Sequence, residues 1–159
     1  MAIAVEVRGP VVTTAKLFRT PLNTVPGVDT NIYTSGDALG TKMTFSVPRE
    51  GIVQGIIAVD LAKQSVTFDV VMFNGDFVGG VNNDAFDMTD SNFSRLVGIA
   101  QVSTYFAFND NSVAVEKDVG LRYLLPEGGL LWVQCVTRGT PTLAAVGDIK
   151  LGFVIEVAE

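Results

Sequence analysis

Ile149-Lys150-Leu151-Gly152-Phe153-Val154-Ile155-Glu156-Val157 (IKLGFVIEV) alternates without a break. Its odd-numbered positions are all apolar, and between them stand Lys150, Gly152, Val154 and Glu156. A period of two is what a pleated strand imposes, because successive side chains leave opposite faces. The stretch reads as a strand with one face in a core and the other in a mixed environment. Met43-Thr44-Phe45-Ser46-Val47 repeats the pattern, with apolar residues at odd positions only. From Val66 to Phe73, one side carries Val66, Phe68, Val70 and Met72. The other side, Thr67, Asp69, Val71 and Phe73, is only half polar.

Three further runs, Ile52 to Leu61, Leu96 to Phe108 and Leu130 to Val136, are apolar on both faces. Such runs suit central strands, or strands that also meet another subunit. Val113 to Leu125 is a weaker strand region, interrupted by Glu116-Lys117-Asp118. Pro48-Arg49-Glu50-Gly51, Asn109-Asp110-Asn111-Ser112 and Pro126-Glu127-Gly128-Gly129 supply turn chemistry between the runs. Helix is scarce. The one candidate is short, around 84–95, with Asp84 or Ser91 as its cap. Short strands separated by glycine and proline predict an all-β, antiparallel, jelly-roll-like β-sandwich.

The 159 residues fit one sandwich domain, large enough to bury a core without a metal or disulfide. The apolar fraction of 48% excludes a disordered chain. No apolar run approaches the ~20 residues of a spanning helix, and MAIAVEVRG does not read as a secretory leader. Net charge is −6 but uneven. Residues 1–28 hold Arg8, Lys16 and Arg19 against Glu6, while residues 29–159 hold eight basic and sixteen acidic residues. An acidic body disfavours nucleic acid, which needs clustered cations. A basic start suits an acidic neighbour, including a second copy. The segment 20–41 is rich in Thr, Asn, Gly and Pro and has no clear period. These features divide the chain into an extended N-terminal arm (1–28), a linker (29–41) and a sandwich (42–159). The alternative is that the opening segment is an edge strand of its own sandwich. Arg8, Val11, Val12, Lys16, Phe18 and Arg19 are the candidate partner-binding residues of that segment.

The residues point away from catalysis. There is no histidine, so no Ser-His-Asp triad, no Cys-His dyad and no His-rich cupin centre can be built. The single Cys135 lies in LLWVQCV, where burial is expected and reactivity is not. Asp84, Asp87 and Asp90 do not fit an EF-hand loop and read as solvated capping acids. Trp132, Tyr105, Phe106 and Phe108 offer a sugar-stacking platform or, more simply, core and interface packing. No catalytic residue, metal site or cofactor is expected.

The order of VRGPVVTTAKLFRTPLNT (7–24), TFSVPREGIVQGIIAV (44–59), FDVVMFN (68–74) and LLPEGGLLWVQCVTRGTPTLAAVGDIKLGFVIEVAE (124–159) resembles the small β-sandwich head decoration, or cement, proteins of tailed bacteriophages. The likeness runs over nearly the whole chain, and its motifs are structural. It implies a non-enzymatic virion protein on the outer surface of the head, a homotrimer that bridges neighbouring capsomers. Its implied partner is the major capsid protein of an HK97-like shell, with no nucleic acid or membrane contact. The other expectation is a tail- or fibre-associated β-sandwich that binds a receptor or carbohydrate.

Overall fold

The computed structural model describes residues 15–126 and 129–157. Its strands are Lys16–Arg19 (β1), Asn23–Thr24 (β2), Ala38–Ser46 (β3), Glu50–Asp60 (β4), Phe68–Phe73 (β5), Leu96–Val102 (β6), Tyr105–Ala107 (β7), Ser112–Leu124 (β8), Leu130–Thr137 (β9) and Ile149–Val157 (β10). One helical turn, Asp90–Phe93 (α1), precedes β6. The strands form two antiparallel sheets. The larger runs β1-β10-β4-β8-β7, with β2 also on β10, and the smaller runs β3-β9-β5-β6.

The pairing is nested. With β1 and β2 taken as one interrupted strand and β7 as an addition beyond β8, the first strand pairs with the last. Inside that pair, β3 meets β9, β4 meets β8, and β5 meets β6. Rolling this long antiparallel hairpin brings β10 onto β4 and β9 onto β5. The result is a jelly roll.

The alternation of β10 sets the core. Ile149, Leu151, Phe153 and Ile155 are buried, and the Phe153 ring meets Phe45 of the opposite sheet edge-on at 4.8 Å between centroids. Val53, Ile56 and Ala58 of β4 join them, with Phe68, Val70 and Met72 of β5 and Leu131, Val133 and Cys135 of β9. Each fully buried Phe, Leu or Ile stabilises by about 1.5–3 kcal/mol. In β4 the buried positions change parity between Val53 and Ile56. Gln54 is an extra residue there, producing a register shift against both β10 and β8. On β8 the matching irregularity spans Asp118 (φ 57°) and Gly120 (φ 70°). The apolar residues of 52–61 therefore face both ways partly because a bulge reverses the strand. The same bulge carries β8 through Glu116-Lys117-Asp118 as one strand, where the sequence suggested a break.

A second, smaller core lies on the outer side of the four-stranded sheet. Val71, Phe73 and Val136 pack there with Phe77, and Phe86, Met88, Leu96 and Trp132 pack against them. Phe73 and Phe77 stack at 3.9 Å. Residues 74–89 thus cover the half-polar side of 66–73.

Over residues 15–41 the fold corrects the arm and linker boundaries. β1 pairs with β10 from Lys16↔Val157 to Arg19↔Val154, and β2 pairs Asn23 and Thr24 with Leu151 and Lys150. Val25, Val28 and Tyr33 are core residues, and β3 begins at Ala38. The physical reason is packing: this segment carries large apolar groups that the sandwich buries. Pro21 has no N–H to give the ladder, so the strand is interrupted between β1 and β2. The chain crosses Gly152 there, where a Cβ would lie 3.0 Å from Leu22 and 3.2 Å from the Pro21 carbonyl oxygen. Residues 1–14, including Arg8, Val11 and Val12, lie outside the described residues.

The helix is also shorter than expected. A bridge between Asp37 and Ala85 and the packing of Phe86 hold 84–89 against the sheet. The turn starts after Thr89, not at Asp84 or Ser91, and Thr89 makes no side-chain cap bond. The run 96–108 is two strands in different sheets. Glu116 accepts the Ser103 and Thr104 N–H groups at 2.8 and 3.1 Å at the crossing.

Candidate interaction surface

A groove of about 700 Å³ lies beside the segment covering the second core and is lined in part by Lys42, Asp76, Asn92 and Arg95. Its polar groups are engaged within the fold. Lys42 donates to the Asp76 carboxylate at 2.6 Å and to the Phe77 carbonyl at 2.9 Å, and its ammonium sits 5.3 Å from the Trp132 ring centroid. This pairing with Lys42 holds the exposed Asp76 carboxyl below its ordinary pKa. Arg95 donates to the Asp76 carbonyl. Buried Asn92 accepts the Val78 N–H and donates to the Val78 carbonyl, at 3.0 and 2.9 Å. Gln134 treats Gly80 the same way, at 2.9 Å each, and also donates to the Gly40 carbonyl. These side-chain amides replace a missing neighbour strand for 78–80. The groove is a seam where a loop is fastened down.

The outer face of the six-stranded sheet is different. Strand register sets its rows: Phe106, Val113, Val59 and Lys150; then Val115, Ile57 and Gly152; then Lys117, Gly55, Val154 and Arg19; then Arg122, Ile52, Glu156 and Leu17. Leu17, Phe106 and Phe108 are each more than half exposed, and Leu22 and Val115 about 40%. Apolar residues thus run across the sheet, with Lys117, Lys150, Arg19, Arg122 and Glu156 among them. An exposed apolar surface of this breadth, edged by charge, is the mark of a contact face.

Of the candidate partner-binding residues, the structure brings Arg19 to this face. Alternation along β1 puts Leu17 beside it and turns Lys16 and Phe18 to the inner side, where Phe18 packs on the core. The described cations of the segment therefore do not form one patch. The aromatic platform is also divided. Trp132 belongs to the second core, Tyr105 is half-buried with its hydroxyl donating to the Val66 carbonyl at 2.9 Å, and Phe106 and Phe108 are exposed on the other sheet. The reading of Phe106 and Phe108 as core residues is corrected: β7 is a short edge strand, and they lie on its outward side. Burial, with Asp60 next in effect, raises the Tyr105 pKa.

Cys135 is buried, and burial pushes its thiol up to about 12. Asp84, Asp87 and Asp90 are exposed. Among the described residues no three His, Cys, Asp or Glu side chains come close enough to hold a metal ion. The residues that sequence reading missed are Ile57, Val115, Leu22 and Leu17. Their signal was the two-sided apolar character of 52–61, which did not separate burial from contact with a partner.

No family model, curated protein or solved structure matches this chain.

Proposed function

We propose that the protein is a non-enzymatic structural component of a bacteriophage virion. It decorates the outside of an HK97-like head, binds the major capsid protein and bridges neighbouring capsomers as a homotrimer. The observation that carries this reading is the exposed apolar face of the six-stranded sheet, on a jelly roll whose groove beside Lys42 has its polar lining groups engaged within the fold. The resemblance across the chain supplies the kind of partner. Cementing needs wide, shallow contacts repeated by symmetry, and a stiff sandwich provides them. In this proposal Arg8, Val11 and Val12, which precede β1 in sequence, add to the contact with the partner.

The test is to mix the purified protein with undecorated phage heads. Binding, with added resistance to heat or osmotic shock, is expected. Val115→Arg should abolish both while the protein stays folded, because Val115 already meets water. Absence of binding by the parent protein removes the proposal.

The exposed pair Phe106 and Phe108 favours a second reading, a tail- or fibre-associated sandwich that binds a receptor or carbohydrate. Glycan binding lost on Phe106→Ala with folding intact would support it. Trp132→Ala is the wrong probe, since Trp132 packs in the second core.

A further inference from the structure

Gly75 stands apart from the other described glycines. Each of the others either has a positive φ or would bring a Cβ to 3.0 Å or less from a neighbouring atom. A Cβ on Gly75 would meet only the Arg95 side chain, at 3.6 Å from Cδ and 3.9 Å from Nε, an ordinary contact. Its φ is not in the left-handed region. The fold therefore does not demand glycine at 75. What glycine does there is leave its amide nitrogen open to the side chain before it, and that residue is Asn74.

The setting favours this encounter. The Asn74 N–H is held by the Arg95 carbonyl at 2.9 Å. Beyond that bond, neither the Asn74 side-chain amide nor the Gly75 N–H has a hydrogen-bond partner among the described residues. Both residues are partly exposed, so water reaches them. The Arg95 guanidinium lies alongside, and a nearby cation favours loss of a proton from the Gly75 amide. No other asparagine precedes a glycine; among them, the Asn82 and Asn92 side chains are also hydrogen-bonded, and Asn111 precedes the fully buried Ser112.

We propose that Asn74-Gly75 is a self-modification site at which Asn74 deamidates. The Gly75 nitrogen, its proton lost to water or hydroxide, attacks Asn74 Cγ and a C–N bond forms. The Cγ–Nδ2 bond then breaks, and Nδ2 leaves as ammonia after taking up a proton. The product is a cyclic imide. Water opens it at the Cγ carbonyl to give aspartate, or at the main-chain carbonyl to give isoaspartate, and no oxidant is involved. Either product adds a negative charge next to Asp76, the partner of Lys42. Isoaspartate also lengthens the backbone by one methylene where the segment covering the second core begins. The Asn74–Arg95 bond and the Phe73–Phe77 stack must then shift.

The test is to hold the full-length protein at mildly alkaline pH and body temperature, then map peptides by tandem mass spectrometry. The folded protein should gain a single dalton at Asn74, with aspartate and isoaspartate peptides separating and Asn74→Asp marking the aspartate form. Gly75→Ala, which the contact distances allow to fold, should slow the gain several-fold because the new Cβ hinders the nitrogen and stiffens the chain. If urea-unfolded protein converts while the folded protein keeps its mass at Asn74, the fold protects the site and the proposal is overturned. Equal rates in the parent and Gly75→Ala would overturn it too, since the glycine would then not be the cause.

Discussion

Thr20→Val tests whether the start of the described chain belongs to the sandwich. Thr20 is buried, and its Oγ1 accepts the Phe153 N–H at 2.8 Å. Its own N–H donates to the Phe153 carbonyl at 3.0 Å. Valine keeps the backbone bond and nearly the same shape. It leaves the N–H of Phe153, a fully buried residue, without an acceptor. Stripping a buried donor of its partner costs about 1–3 kcal/mol. At about 2–4 °C per kcal/mol for a chain of this size, Tm should fall by about 2–12 °C. Thermal unfolding followed by circular dichroism measures it, with a urea titration to show that the m-value is unchanged. Removing residues 1–14 leaves both Thr20 bonds in place, so the cost of the substitution should be the same in the shortened chain. A Thr20→Val protein as stable as its parent would refute the reasoning. Residues 15–24 would then behave as an arm that leaves the sheet, not as its edge.

Gln134→Leu should cost about 2–4 kcal/mol, from a buried network that loses its bonds to Gly40 and Gly80. Hydrogen exchange should show segment 76–82 opening before the rest. Asp60 is fully buried and accepts the Ala62 and Ser65 N–H groups at 2.9 and 2.6 Å; burial raises its pKa, the hydrogen bonds only partly offsetting it. A raised carboxyl pKa means that the folded state takes up its proton first, so the stability contribution of this group improves as pH falls through the raised value. The Tm of the parent minus that of Asp60→Asn should therefore grow as pH drops from about 7 toward about 4, and a flat difference would count against the assignment. Cys135 should stay silent toward a thiol reagent in the folded protein and react at once in denaturant; rapid native reaction would contradict its burial.

Periodicity made much of this fold legible. The unbroken alternation of 149–157 gives the core face of β10 directly, and Cys135 falls where an apolar run would bury it. What stayed hidden depends on contacts far apart in sequence. The helix expected around 84–95 shrinks to Asp90–Phe93 because Asp37 and Phe86 hold the preceding residues to the sheet. Glu116-Lys117-Asp118 looks like a break, since nothing local announces that β4 carries the extra Gln54 opposite it. The opening segment is basic and followed by polar residues. Its membership in the sandwich rests on Phe18, Thr20, Val25 and Val28 meeting partners more than a hundred residues away or across the sandwich, which composition does not register.

The two outer faces of the sandwich carry the argument about function furthest. Both sheets have strands that are apolar on both sides, and sequence treats them alike. On the smaller sheet the chain supplies its own cover: 74–89 lays Phe77, Phe86 and Met88 over Val71 and Phe73, and Lys42, Asn92 and Gln134 fasten it. On the larger sheet, Pro21 and Leu22 cross the outer surface over Gly152. Leu17, Val115, Phe106 and Phe108 remain in water there. The hydrophobic effect acts equally on both faces, at about 25 cal/mol for each Å² of apolar area that can be covered. Among the described residues, a sixteen-residue segment covers much of one face, although Ile99, Val78 and Val81 stay exposed on that side, and no comparable segment covers the other. That difference directs the search for a partner first to the six-stranded sheet, before the groove on the opposite side.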